Sequence, residues 1–273
     1  MSFGPFRFGS PAQKHYLELY MTQRKRIAFI FAMAAEAAPL IQSLGLSRVE
    51  GWGDPRLPFL HYIGTYENDF DLVISTNGKD PRWGVDNIGT DPAVLNAYLT
   101  LTQFKPDLCI NCGTAGAFKK NQAQVGDVYL SSEAIRYHDR RIAIQGYDIY
   151  GVGHFPVLPL DKMAHALGLK LGVVSTGNSL DFTAKDLEMI EQNNGSIKEM
   201  EAAAIAYVAH LLGVPFFAVK AVTDLVDSEL PPGPEFLKNL EMACAQLFMK
   251  TQAVLAYLAS HPSEWQLQPV NNR

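Results

Sequence analysis

Short apolar runs alternate along the chain with helix-spaced apolar stripes, and this alternation sets the expected architecture. Ile27-Ala-Phe-Ile-Phe-Ala32 is a continuous run of strand length, the pattern of a strand covered on both faces. Ala37, Leu40, Ile41 and Leu44 then recur at helical spacing, with Pro39 tolerable only in the first turn and Gly45 suited to the C′ position. His61 to Thr65 and Asp71 to Ser75 read as two further strands. Thr90-Asp91-Pro92 supplies an N-cap pair and a first-turn proline, after which Val94, Leu95, Tyr98 and Leu99 are expected to form a buried helix face.

Asp107 to Asn111 returns to strand and ends in the turn Gly113-Thr-Ala-Gly116; Gly126-Asp127 leads into Val128 to Leu130. Leu171 to Ser175, and Phe216 to Val219 after Pro215, are further strands, with a helix from Met200 to Leu212 between them stopped by Gly213. A last helix is expected from near Pro234, with Leu237, Leu240, Cys244, Leu247, Phe248 and Leu255 as its stripe. Strands alternating with helices predict an α/β sheet covered on both sides. Residues 1 to 25 show neither period and read as an arm, 26 to 260 as one undivided domain, and 261 to 273 as a tail.

Composition narrows the function more than the fold. Lys plus Arg (23) against Asp plus Glu (28) gives a net charge of -5, which disfavours a nucleic-acid partner, because phosphate contacts need a basic face. The longest wholly apolar run near the amino end, Ile27 to Ala35, is far shorter than the about 20 residues of a membrane span, and no secretory block precedes it. Three cysteines, an odd number in a chain of this size, fit a reducing compartment, so a cytoplasmic protein is expected. Cys109-Ile-Asn-Cys112 resembles a zinc or redox motif, but positions i and i+3 of a strand point to opposite faces and zinc needs four ligands. His138-Asp139-Arg140-Arg141 reads as a charged, ion-paired strand end.

Four places share one geometric property. Glu36, the Thr114 to Gly116 turn, Asn178 to Asp181 and Asp224 each follow the carboxyl end of an expected strand, where open α/β sheets bind ligands. Together with the helix start at Glu199, Met200 and Glu201, they can converge on one pocket. Small residues after Glu201 leave room for a ligand, and Asp224 stands among apolar neighbours, where desolvation raises a carboxyl pKa. Asp224 as proton holder and Glu36 as ionised base would make an acid/base couple.

In order, Met33-Ala-Ala-Glu36, Trp83-Gly-Val-Asp86, Asn111-Cys-Gly-Thr-Ala-Gly116, Gly126-Asp127-Val128, His138-Asp139-Arg140-Arg141, Ser175-Thr-Gly-Asn-Ser-Leu-Asp181, Glu199-Met200-Glu201 and Thr223-Asp224-Leu-Val-Asp227 resemble the 5′-methylthioadenosine/S-adenosylhomocysteine nucleosidases, the plant-type enzymes most. The resemblance implies a purine nucleoside phosphorylase-like fold, a three-layer α/β/α sandwich with a twisted mixed sheet, in a homodimer that needs no metal or cofactor. It implies cleavage of a nucleoside in methionine salvage. Glu36 would activate water, Asp224 would protonate adenine N7, Glu201 would bind ribose hydroxyls and Met200 would pack on the nucleoside. Thr114 and Gly116 would line the site, and Leu180 and Asp181 would contact adenine by stacking and by a backbone bond. Met33 and the stretch 142–150, the latter from a partner subunit, would border the alkylthio tail. The chain departs from the family at Asn178, at Ala117 and in the proline-rich loop 228–234. A phosphorylase on the same fold, with Gly53-Asp54-Pro55-Arg56 as a phosphate turn, and a nucleoside-sensing protein without turnover are the alternatives. The residues leave open whether S-adenosylhomocysteine is cleaved as well.

Overall fold

The first apolar run becomes β1 (Lys25–Phe31), buried between two parallel neighbours, β4 (Phe70–Thr76) and β5 (Leu108–Ala117). The structure, a computed structural model, describes residues 24–50, 52–229 and 231–265. The arm expected over 1–25 lies outside the described residues except for Arg24 and Lys25, and Lys25 already opens β1. The remaining strands are β2 (Ser47–Val49), β3 (Leu60–Tyr66), β6 (Val128–Ser131), β7 (Ala134–Tyr137), β8 (Phe155–Pro156), β9 (Lys170–Thr176), β10 (Gly195–Glu199) and β11 (Phe216–Leu225). They form one mixed sheet in the order β2-β3-β4-β1-β5-β11-β6-β9-β7-β8. β10 lies off that path and pairs with both β9 and β5, so β5, β11, β6, β9 and β10 close into a ring.

Helices cover both faces. α1 (Ala34–Ser43), α4 (Asp161–Leu167) and α7 (Pro232–Ser260) pack on the face that holds Ile27, Phe29 and Phe31. α2 (Thr90–Phe104) and α6 (Ala202–Leu212) pack on the face that holds Ala28 and Ile30. Two further helices, α3 (Tyr147–Val152) and α5 (Ala184–Gln192), flank β7 and β10. Cys112 joins the first core and Cys109 the second, as the strand period requires, and all three cysteines are free and buried.

The structure corrects several sequence expectations. Pro39 is the sixth residue of α1, in its second turn, because the helix begins at Ala34. The carbonyl of Ala35, which a proline cannot serve, sits on a solvent-exposed residue. Of the α2 face expected to be buried, Leu95 (54%) and Tyr98 (60%) are exposed, whereas Val94 packs on the core and Leu99 is half-buried. The helix's inner face is Ala93, Asn96, Ala97, Thr100, Leu101 and Phe104. Small side chains here let α2 lie close to the alanine run of α6, a packing that larger residues would hold apart. Leu237, expected in the α7 stripe, is exposed too, and α7 begins at Pro232. β5 and β11 run longer than expected, so Thr114, Gly116 and Asp224 lie within strands and not in turns after them.

The last described residue belongs to the core. Trp265 is 2% exposed, meets Phe70 edge to face at 5.7 Å and donates its indole N–H to the Leu258 carbonyl at 3.0 Å. Trp265→Ala should therefore cost about 3–5 kcal/mol and lower the melting midpoint by roughly 10 °C in a calorimetric scan. An unchanged midpoint would show that this segment is not docked.

Candidate active site

Seven parts of the chain converge on one pocket. Its lining includes Ala32, Met33 and Glu36 from the β1–α1 junction, Thr114 to Gly116 from β5, and Lys198 to Glu201 from the β10–α6 junction. Thr223, Asp224 and Val226 come from the end of β11, Leu180 and Phe182 from the loop after β9, Ile88 from the segment before α2, and Pro232 and Phe236 from the start of α7.

Glu36 occupies the third position of α1 and is 3% exposed. Its Oε1 accepts from the amide (2.7 Å) and hydroxyl (2.8 Å) of Thr114, and its Oε2 accepts from the Met33 amide at 3.1 Å. Burial pushes its pKa up, and these hydrogen bonds together with the Lys220 charge hold it back. Gly113 makes room for this approach: a Cβ there would lie 3.3 Å from Glu36 Oε1 and 3.4 Å from Lys220 Nζ.

Glu199 lines the pocket and pairs with Lys220, which stands outside the lining. Their side chains are each 1% exposed and meet at 2.9 Å. Glu199 Oε2 also accepts the amides of Glu201 (3.0 Å) and Ala202 (2.8 Å), and the Thr176 hydroxyl bonds Oε1. Burial alone would raise Glu199, but Lys220 and these donors outweigh it and leave the carboxyl below its ordinary value. Glu201, the N-cap residue of α6, accepts the Gly89 amide at 2.7 Å. Burial, and then the adjacent Glu199 charge, raise its pKa to about 7.

Asp224 is 4% exposed and stands at a β-bulge, where Val222 pairs with Ala115 and Asp224 with Gly116, leaving Thr223 without a partner in the ladder. The Thr223 hydroxyl donates to Asp224 Oδ1 at 2.8 Å, and Asn239 of α7 donates to the Thr223 carbonyl at 2.8 Å. Gly116 faces the acid so closely that a Cβ would fall 2.8 Å from its Oδ2. Burial raises the Asp224 pKa; Thr223 and the Lys198 charge pull it down and the Glu235 charge pushes it up. Lys198 donates to the carbonyls of Ser179 (2.7 Å) and Leu180 (2.9 Å), tying the β9 loop to the pocket.

The structure thus gathers Met33, Glu36, Thr114, Gly116, Leu180, Met200, Glu201 and Asp224 around one pocket. Asp181 is exposed and stands outside the lining, where Phe182 takes the place beside Leu180. Asn178 accepts from the Thr90 amide and hydroxyl, both at 2.9 Å, and donates its own backbone amide to Asp139 at 2.7 Å. Of the segment read as an ion-paired strand end, Arg141 pairs with Asp186 at 2.5 Å, while His138 is buried beside Ser175, Asp139 accepts the Asn178 amide and Arg140 lies over the Tyr137 ring. Arg56 is exposed and forked onto Asp54 outside the pocket. Sequence reasoning missed Lys220, although a lysine inside the apolar run Phe216 to Val222 signals a buried, partnered charge. It also missed Lys198, Ile88, Phe182 and Phe236, which carry no pattern of their own.

Residues 26–256 match the Phosphorylase superfamily. A 5′-methylthioadenosine nucleosidase of Arabidopsis thaliana is 42% identical over 225 residues, 81% of this chain and 82% of its own length. A 5′-methylthioadenosine/S-adenosylhomocysteine nucleosidase of the same plant is 41% identical over 234 residues, 85% of this chain and 91% of its own. The apo structure of Arabidopsis thaliana 5′-methylthioadenosine nucleosidase superposes with a TM-score of 0.84 at 39% identity, over 87% of this chain and 97% of that one. The fold is that of a phosphorylase-superfamily enzyme. Within that superfamily the chain belongs to the 5′-methylthioadenosine nucleosidases.

The raised Glu201 pKa has a consequence for stability. In the folded chain this carboxyl holds its proton above its ordinary value of 4.5, so its contribution is full below that pH and is lost as the pH rises through about 7. Glu201→Gln, which cannot ionise, should melt above the parent by roughly 5 °C or more near pH 8, and the gap should shrink toward zero near pH 4.5. Thermal scans across that range check this; a gap independent of pH would refute the assignment.

Proposed function

We propose that the chain hydrolyses the N-glycosidic bond of 5′-methylthioadenosine, releasing adenine and methylthioribose. The observation that carries this reading is that Glu36 and Asp224, presented by β1–α1 and by β11, line one pocket with Glu201. Asp224, its pKa raised by burial, gives its proton to adenine N7. The C1′–N9 bond then breaks with the purine leaving as a neutral base. Glu36 takes a proton from water as the water oxygen bonds C1′, and Glu201 accepts the ribose hydroxyls. Each proton transfer is worth typically about 10² to 10⁴ in rate. Met33, Met200, Ile88, Val226 and Phe236 supply the apolar part of the lining, which suits a purine face and a methylthio group.

A phosphorylase would need a cation free to hold phosphate. Lys198 is committed to two carbonyls and Lys220 to Glu199, while Arg56 lies elsewhere on Asp54. Water is therefore the acceptor in this reading. Adenine release should proceed at full rate without phosphate, and Asp224→Asn and Glu36→Gln should each reduce it by about 10² or more with folding intact. Strict phosphate dependence, or near-parental turnover in both variants, would overturn the reading. A substrate panel including S-adenosylhomocysteine sets the tail specificity.

The same reading includes a homodimer and a cytoplasmic role in methionine salvage. Leu95 and Tyr98 of α2 and Tyr207, Leu211 and Leu212 of α6 are exposed on two helices that pack side by side. Burial pushes the thiols of Cys112 and Cys244 up to about 12, so neither is poised for oxidation, in keeping with a reducing compartment. Light scattering should give twice the chain mass, and Leu95→Asp with Leu211→Asp should give monomers. A parent that runs as a monomer at micromolar concentration would remove the dimer from the proposal.

A further inference from the structure

The segment from Asp86 to Thr90 bonds three separate parts of the pocket. Asp86 Oδ1 accepts the Ala34 amide at 3.2 Å, the Gly89 amide donates to Glu201 at 2.7 Å, and Thr90 donates to Asn178. Ile88 lines the pocket between these anchors. The segment is braced in turn: Asn87 and Asn77 exchange side-chain to carbonyl hydrogen bonds at 3.1 and 3.0 Å, and Lys79 pairs with Asp86 as an isolated bridge.

Of these contacts, the one made by Asp86 holds the helix turn that carries Glu36. Helices leave their first amides without intrahelical partners, and a Ser, Thr, Asp or Asn at the N-cap normally serves one of them. The N-cap of α1 is Met33, whose side chain is no such cap, and the Ala34 amide is served instead by Asp86, 52 residues away in sequence. Glu36 lies in the same turn, so any shift of that turn moves its carboxylate. Misplacement of a reacting group by about 1 Å can cost as much as 10² in rate.

The geometry assigns Asp86 as a positioning residue for Glu36, an inference that rests on the nucleosidase reading above. Asp86 pins the first turn of α1, so that the Glu36 carboxylate stays aimed at the attacking water. The test is steady-state adenine release from 5′-methylthioadenosine by Asp86→Ala, Asp86→Asn, Ala34→Pro and the double variant Asp86→Ala/Ala34→Pro, in the full chain. Asp86→Ala should lower kcat about tenfold with KM within twofold, because Glu36 acts on water and not on nucleoside binding. Asp86→Asn keeps an acceptor oxygen and should retain most of the activity.

Ala34→Pro deletes the same hydrogen bond from the donor side. Proline is at home at the first helical position, and Met33, at φ -104 and ψ 145, already has the extended backbone that a following proline requires. It should show the same loss in kcat, and the double variant should lose no more than either single one. A rise in KM with kcat kept in Asp86→Ala, or losses that multiply in the double variant, would overturn the assignment. Should Asp86→Ala fail to fold, Ala34→Pro decides: parental kcat there refutes the role, and a tenfold loss supports it. A parent that releases no adenine sinks the nucleosidase reading instead, whereas an active parent with an unaffected Asp86→Ala sinks this inference alone.

Discussion

One buried lysine holds the pocket's charge together. Glu36, Glu199 and Glu201 are all withdrawn from water around Lys220, and three carboxylates so placed would otherwise take up protons. Lys220 keeps Glu199 ionised by direct contact and works at longer range on Glu36 and Glu201. Removing one member of such a buried pair typically costs about 3–5 kcal/mol, since the other is left charged and dry. The ion pair therefore belongs to the chemistry as much as to the fold. It lets a dry site hold one carboxylate ionised, another near neutrality, and Glu36 balanced between burial and its donors.

Space for these charges comes from two glycines of β5. At Gly113 and Gly116 the strand offers no side chain on the positions facing Glu36 and Asp224, so both acids approach the backbone directly. β11 answers with a bulge that turns Asp224 toward Gly116, and α7 takes up the carbonyl this leaves unpaired. Glu36, in the first turn of the helix after β1, and Asp224, on β11, thus both bear on β5, the strand between β1 and β11.

Much of this was readable before any coordinates. The apolar runs located the strands beneath Glu36 and Asp224, and acids beyond such runs pointed to a pocket at their carboxyl ends. Other parts were hidden for physical reasons. β10 has one apolar residue, Ile197, because most of its surroundings are polar site and backbone, so no hydrophobic run announces it. The inner face of α2 hides Asn96 and Thr100 in a hydrogen-bonded network with Asn77 and His61, while Leu95 and Tyr98 face outward. Hydropathy alone therefore buries two residues that face out and overlooks two polar ones that face in. Asp86 belongs to the Trp83-Gly-Val-Asp86 motif, but its role carries no local signal, since its partner is an amide reached only through the tertiary fold.

The closed ring of five strands bears on how the protein is born. β5 is synthesised near the middle of the chain, yet its two final partners, β10 and β11, are complete only at residues 199 and 225. A nascent chain holding only the first half presents β5 with one edge open and no closed pocket. The Lys220 side chain and its three acids meet only when that edge is closed. Pairing across such long sequence separations makes folding slow, with loop closure as its main cost. Activity on the ribosome must therefore wait for nearly the whole polypeptide, and the exposed middle strand is the place where chaperones have most to protect.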